Sequence, residues 1–151
     1  MLNNQVVLVT GGSNGIGADC VRQFAQQGAR VVVGYHRGRD RAEALLRELP
    51  GTGHVAMHVP LEDSAAHATI AQSMQQTFGR LDILVNNAGI TRDTAFPAMA
   101  QSEWDDVINT NLKSTFNLTK ACLKTFLKNK AGSIINISSI VGLTGNAGQS
   151  N

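Results

Sequence analysis

The residues that most clearly point to chemistry run Thr10-Gly11-Gly12-Ser13-Asn14-Gly15-Ile16-Gly17. An apolar run, Val6-Val7-Leu8-Val9, precedes them and reads as a buried strand. A helical pattern follows, with Ile16, Cys20 and Phe24 at four-residue spacing and Val21 and Ala25 on the same side. Strand, glycine loop, helix is the context in which glycines can serve a nucleotide. Glycine tolerates positive φ and close backbone approach. The free N–H groups and positive dipole end of the new helix favour a pyrophosphate. An ordinary strand-to-helix turn would carry the same pattern, so the loop alone leaves both readings open.

The elements that must position this loop alternate. Val31 to Val33 forms a second strand, after a helix stopped by Gly28. Ala42, Leu45, Leu46 and Leu49 mark a helix ending at Pro50-Gly51. A third strand covers about 54–59. Ile70, Met74 and Phe78 mark a helix ending at Gly79, and Leu81 to Val85 a fourth strand running into Asn86-Asn87-Ala88-Gly89. After a loop around 92–99, a long helix is predicted over 101–130 with Leu112, Phe116, Leu123 and Phe126 inward. Ile134 to Ile137 is a fifth strand, and 142–151 reads as a Gly-rich loop. The alternation predicts an α/β fold: a doubly wound, Rossmann-like parallel sheet, with ligands beyond the carboxyl ends of the strands.

At 151 residues this is one domain's worth of chain. Thirteen basic and eleven acidic residues leave a net charge of only +2, with no basic cluster interleaved with aromatics. That argues against a nucleic-acid binder. No leader and no bilayer-length apolar run is seen, so no membrane partner and a cytoplasmic setting are expected. Cys20 and Cys122 fall in apolar helical patterns and read as buried small hydrophobes. His54 and His67 lack metal-ligand spacing, and no metal is expected.

The loop Thr10 to Gly17, the run Asn86-Asn87-Ala88-Gly89, Asn111 and Ser139-Ile140-Val141-Gly142 occur in one order over nearly the whole chain. Together they resemble the short-chain dehydrogenase/reductase family. The runs Asn86 to Asp93 and Gly142 to Gln149 look like its 3-oxoacyl-acyl-carrier-protein and acetoacetyl-CoA reductases. The resemblance implies that Gly11, Gly15 and Gly17, with Thr10, Ser13, Asn14 and Ile16, hold a dinucleotide. It implies that Asn86, Ala88 and Gly89 pack along the ribose and steady the sheet. Asn111 would hold a water of the proton relay and interrupt the long helix, and Ser139 would hydrogen-bond the substrate carbonyl. His58 and Val59 occupy the positions that touch adenine. The family has Asp or Asn where His58 stands, and an adenine contact and a solvent-facing side chain are equally open.

In the family a tyrosine acid lies thirteen residues past that serine, with a lysine four further on. Here that tyrosine position falls just after Asn151. The expectation is a dinucleotide-binding domain over 1–151, truncated at the active-site loop, with C-terminal strands and helices missing and the isolated chain inactive. The end of the second strand reads Gly34-Tyr35-His36-Arg37, without the carboxylate that holds ribose hydroxyls in NAD enzymes. NADP(H) is therefore expected, with Arg37 and then His36 at the 2′-phosphate, although a solvated charge at a helix entry would look the same.

The expected reaction is reduction of a 3-oxoacyl thioester. A non-catalytic NADP-binding or interaction remnant, and a sugar or steroid dehydrogenase, are the alternatives. Lys120, Lys124 and Lys128 form a solvated stripe, and a basic residue near Lys130 implies, by resemblance, an acyl carrier protein partner. The full-length protein is expected to be a tetramer.

Overall fold

The computed structural model describes residues 1–151, apart from the side chain of Ser64. The strands are β1 (Val6–Val9), β2 (Arg30–Tyr35), β3 (Val55–His58), β4 (Ile83–Asn86) and β5 (Ser133–Asn136). The helices are α1 (Gly15–Gln26), α2 (Arg39–Glu48), α3 (Ser64–Phe78), α4 (Gln101–Val107), α5 (Ser114–Asn129) and the short α6 (Val141–Thr144). The strands make one parallel sheet in the order β3-β2-β1-β4-β5.

β1, Val31–Val33 of β2 and Ile83–Val85 of β4 are uninterrupted apolar runs because helices cover both sides of the sheet. Side chains alternate along each strand. Val7 and Val9 join Val21, Ala25, Ala42 and Leu45 in the layer under α1 and α2. Val6 and Leu8 join Ile70, Met74, Leu118 and Cys122 in the layer under α3 and α5. The doubly wound expectation is met. β1 sits at the centre of the sheet, and Asp82 anchors its start. The Asp82 carboxylate accepts from the Val6 N–H at 2.8 Å and from the Arg80 guanidinium at 2.6 and 2.8 Å. That paired carboxylate raises the pKa of Arg80 further.

α3 begins at Asp63, whose side chain accepts from Ala65 N–H at 2.9 Å, and stops at Gly79 in the left-handed region (φ 69°). Both ends follow ordinary capping chemistry. Ile16 departs from the expected face of α1. It is exposed, and the buried positions are Gly17, Ala18, Val21 and Ala25. The helix begins only at Gly15, so Ile16 lies in the first turn, past the carboxyl end of β1.

The long helix predicted over 101–130 is broken around Asn111, where the resemblance implied an interruption. Residues Ile108–Lys113 form a turn of π-helix between α4 and α5. The Ser114 hydroxyl donates to the Thr110 carbonyl, and the Thr115 hydroxyl donates to the Asn111 carbonyl at 2.9 Å. These hydroxyls occupy carbonyls that the widened turn leaves poorly paired. An extra residue in a helical turn advances the phase by about 100°. The face that meets the sheet is therefore Ser114, Leu118, Cys122 and Phe126. Leu112, Phe116 and Leu123, expected inward, are 65%, 61% and 44% exposed. With Leu127 they form a second apolar stripe on the outer side.

Cys122 is fully buried, and burial pushes its thiol up to about 12. Cys20 is only partly buried. β5 is an edge strand with Ile134 and Ile135 partly open to solvent, as is Ile137 just beyond it. Within the predicted terminal loop, Val141–Thr144 instead closes one helical turn, with Thr144 N–H donating to Ile140 O at 3.0 Å and Gly145 N–H to Val141 O at 2.8 Å. Among the described residues no helix is long and apolar enough to cross a membrane, and no group of His, Cys, Asp or Glu could hold a metal ion.

Candidate dinucleotide site

The carboxyl ends of β1 and β4 are tied together by one buried hydroxyl. Thr10 Oγ1 accepts from the N–H groups of Asn87 (3.0 Å) and Ala88 (3.1 Å) and donates to Val85 O (3.3 Å). Asn87 returns the contact, its Nδ2 donating to Thr10 O at 2.9 Å and Gly11 O at 3.3 Å. This knot holds the glycine loop against the turn after β4. Thr10 was among the expected site residues; Asn87 was not. The Asn-Asn pair is visible in the sequence, but the bonding partners of its second member are reached only through the sheet order.

The glycines divide into two jobs. Gly17 is buried, and a Cβ there would lie 2.3 Å from Gly11 O and 2.5 Å from Asn87 Nδ2. It lets α1 press on its own loop. Gly15 has positive φ (51°), and a Cβ there would meet nothing within 4 Å. It faces open space. Asn14, at the N-cap, makes no side-chain capping bond, and no acidic residue stands in the first turn of α1. The amino end of a twelve-residue helix thus opens, uncapped by Asn14, on clear space. Ser13 is half-buried beside it, while Asn14 and Ile16 are exposed. This arrangement fits an anionic diphosphate.

The other predicted residues ring the same end of the sheet. Asn86 is buried, and its Nδ2 donates to Asn136 Oδ1 at 2.9 Å and Thr119 Oγ1 at 3.2 Å. These bonds brace β4 to β5 and α5. Ala88 is half-buried and Gly89 exposed. A Cβ on Gly89 would lie 3.4 Å from Asn111 Oδ1. Asn111, in the π turn, accepts from Ile90 N–H at 2.8 Å and donates to Ile90 O at 2.9 Å, stitching the helix break to the loop after β4. Ser139 is exposed beyond β5, its Oγ accepting from Val141 N–H at 3.2 Å. At the exits of β2 and β3, His36, Arg37 and His58 are exposed and Val59 is buried.

The loop before α4 is tied to that helix and to residues 148–151. Glu103 accepts from the Thr94 hydroxyl at 2.7 Å and from Ala100 N–H at 2.8 Å. Thr94 N–H in turn donates to Gly148 O at 2.8 Å, and Asn151 Nδ2 to Arg92 O at 3.0 Å. The bond from Thr94, followed by that from Ala100 N–H and the nearby Arg92, holds the Glu103 carboxyl below its ordinary range. A depressed carboxyl stabilises the fold above its unfolded pKa of about 4.3, and that contribution is lost as pH falls through the lower folded value. Trp104, the only tryptophan, adjoins it. Its fluorescence is expected to shift as pH falls below about 4, and Glu103→Gln to remove that acid transition. An unchanged transition in the variant would assign it to another group.

Comparison with known proteins identifies the family. The family model described as short chain dehydrogenase matches residues 5–151. The chain is 42% identical over 146 residues to "3-oxoacyl-[acyl-carrier-protein] reductase FabG" of Staphylococcus aureus (strain Mu50), covering 95% of this chain and 59% of the relative. It is 41% identical over 152 residues to the protein of the same name from Thermotoga maritima, covering 99% and 61%. To that of Escherichia coli K12 it is 41% identical over 147 residues, covering 97% and 59%. The chain thus spans about three fifths of the length of these relatives. A match across nearly all of its residues, on a doubly wound sheet with its glycine loop at the central strand, means that the chain belongs to the short chain dehydrogenase family.

Proposed function

We infer that residues 1–151 form the cofactor-binding part of an NADP(H)-dependent reductase of 3-oxoacyl thioesters, carried on an acyl carrier protein or on coenzyme A. The observation that carries the reading is the uncapped amino end of α1, opening on clear space at Gly15. The names of the relatives support the substrate class. The first-turn N–H groups of α1, with Thr10, Gly11, Ser13, Asn14, Ile16 and Gly17 around them, bind the diphosphate. Arg37 and His36 take the 2′-phosphate. His58 and Val59 flank the adenine, and Asn86, Ala88 and Gly89 the ribose. The nicotinamide, when bound, supplies a hydride to the β-carbonyl carbon. The Ser139 hydroxyl donates to the carbonyl oxygen, and Asn111 holds a water of the proton relay. Lys130, exposed at the end of α5, meets an acidic carrier. The stripe Leu112, Phe116, Leu123 and Leu127 pairs copies of the protein into a tetramer.

A second reading covers the polypeptide 1–151 by itself. Its only tyrosine, Tyr35, lies at the end of β2, so no phenol stands ready as the acid that the family's chemistry uses. A positioned acid is worth about 10²–10⁴-fold in rate. This polypeptide is then a dinucleotide-binding module without turnover. Calorimetric titration with NADPH and NADH tests both readings. NADPH is expected to bind about tenfold more tightly, the yield of one charge-assisted contact to the 2′-phosphate. No oxidation of NADPH by an acetoacetyl thioester is expected. Equal affinities would refute the cofactor assignment, and turnover at an enzyme-like rate would refute the module.

A further inference from the structure

We propose that Glu62 is a selectivity residue that works against the 2′-phosphate. The proposal deepens the cofactor assignment and rests on the adenosine end of the dinucleotide lying at the exit of β2.

The sequence at that exit, Gly34 to Gly38, carries no carboxylate. The fold brings one in from another segment. Tyr35 pairs with His58 across β2 and β3, and Val59 N–H donates to Tyr35 O at 2.7 Å. The chain leaving β3 is thereby held alongside the chain leaving β2. Glu62 follows four residues after His58, and its Oε1 lies 3.2 Å from His36 Nδ1. The His58 ring backs this pair, its centroid 5.7 Å from those of His36 and Tyr35. Two of the neighbouring charges have other work, and the Arg41 guanidinium lies against Gly38. Asp63 caps α3, and Arg39 pairs with Glu43 at 2.7 Å. Arg37 is exposed beside His36.

The His36 and Glu62 side chains are 42% and 57% exposed. A pair that open to water contributes little to folding, so a ligand can displace it. A 2′-phosphate carries roughly −1.5 to −2 charge. At Arg37 and His36 it would compete with Glu62 for the imidazole and be repelled by the carboxylate. A ribose with a free 2′-hydroxyl meets no such repulsion. Glu62 therefore narrows the NADP preference that Arg37 creates, and does so from a position the end of β2 does not reveal.

The test is calorimetric titration of wild type, Glu62→Gln and His36→Gln with NADP⁺ and NAD⁺, at low and high salt. Glu62→Gln is expected to bind NADP⁺ roughly two- to fivefold more tightly, with NAD⁺ unchanged. That gain is expected to shrink at about 0.5 M salt, where exposed charges are screened. His36→Gln breaks the pair from the other side; it is expected to weaken NADP⁺ and to reduce the gain from Glu62→Gln in the double variant. A wild type that binds NADP⁺ while Glu62→Gln leaves that affinity unchanged or lower overturns the proposal alone. A wild type that binds neither dinucleotide overturns the cofactor assignment, and the proposal with it.

Discussion

Gly17→Ala is expected to damage both the fold and the site, and more than any other single methyl added to the loop. The reason is space, because Gly17 has an ordinary helical backbone. The new Cβ would lie 2.3 Å from Gly11 O and 2.5 Å from Asn87 Nδ2. Neither neighbour is the far end of a flexible chain. Gly11 O is backbone, and Asn87 Nδ2 is held by Thr10 O. Overpacking of this kind costs about 1–3 kcal/mol, and the upper end is expected here because the backbone itself must move. The shift would rotate the first turn of α1 away from its loop, so dinucleotide affinity should fall at least about tenfold as well. Gly15→Ala is the control. It meets nothing within 4 Å but carries φ of 51°, which costs an alanine about 1 kcal/mol. Its methyl would enter the space assigned to the diphosphate. The expected contrast is a large loss of stability with loss of binding at Gly17, and loss of binding with a small loss of stability at Gly15. Equal melting temperatures for Gly17→Ala and wild type would show that the loop can relax, and would remove the close-packing argument.

Thr10→Val is the second large effect expected. It keeps the shape and deletes the hydroxyl. Two N–H groups, of Asn87 and Ala88, lose their acceptor at 3.0 and 3.1 Å. A buried donor left unmet costs about 1–3 kcal/mol, and the partial exposure of these two argues for a combined loss of about 2–3 kcal/mol. Thr10→Ser keeps the oxygen and should recover most of that loss. Denaturant unfolding measures the difference. If valine and serine behave alike, the hydroxyl is not what joins the two turns.

The strands were legible because a sheet covered on both faces needs uninterrupted apolar runs, and Val6–Val9, Val31–Val33 and Ile83–Val85 are such runs. The helix stops at Gly28 and Gly79 were legible because backbone chemistry there is local. The inner face of α5 was legible only in part: Cys122 and Phe126 were expected to be buried and are, whereas Leu112, Phe116 and Leu123 were expected inward and are not. Leu118, Cys122 and Phe126 compete with Leu112, Phe116 and Leu123, and both sets have helical spacing. Only the π turn decides between them, and it is held by two hydrogen bonds between the Asn111 side-chain amide and the Ile90 backbone across a loop. The same limit applies at the site. Thr10 and the glycines were readable in sequence, whereas Asn87 and Glu62 matter through partners that only the sheet order brings near. Asn86 is visible in the sequence at the end of β4, but its bonds to Asn136 and Thr119 are reached only through the fold.

The order β3-β2-β1-β4-β5 also has a consequence for synthesis. Of these five strands β1 is made before the other four, yet it belongs at the centre of the sheet. One neighbour, β2, begins at Arg30; the other pairs Val7 with Ile83. At about 5–20 residues per second, that second neighbour arrives roughly 4–15 s after β1. For that interval the nascent chain holds Val6–Val9 with one side unpaired, and the bond from Val6 N–H to Asp82 that anchors the strand cannot form. The strand that sets the geometry of the whole site is the one that waits longest to be enclosed.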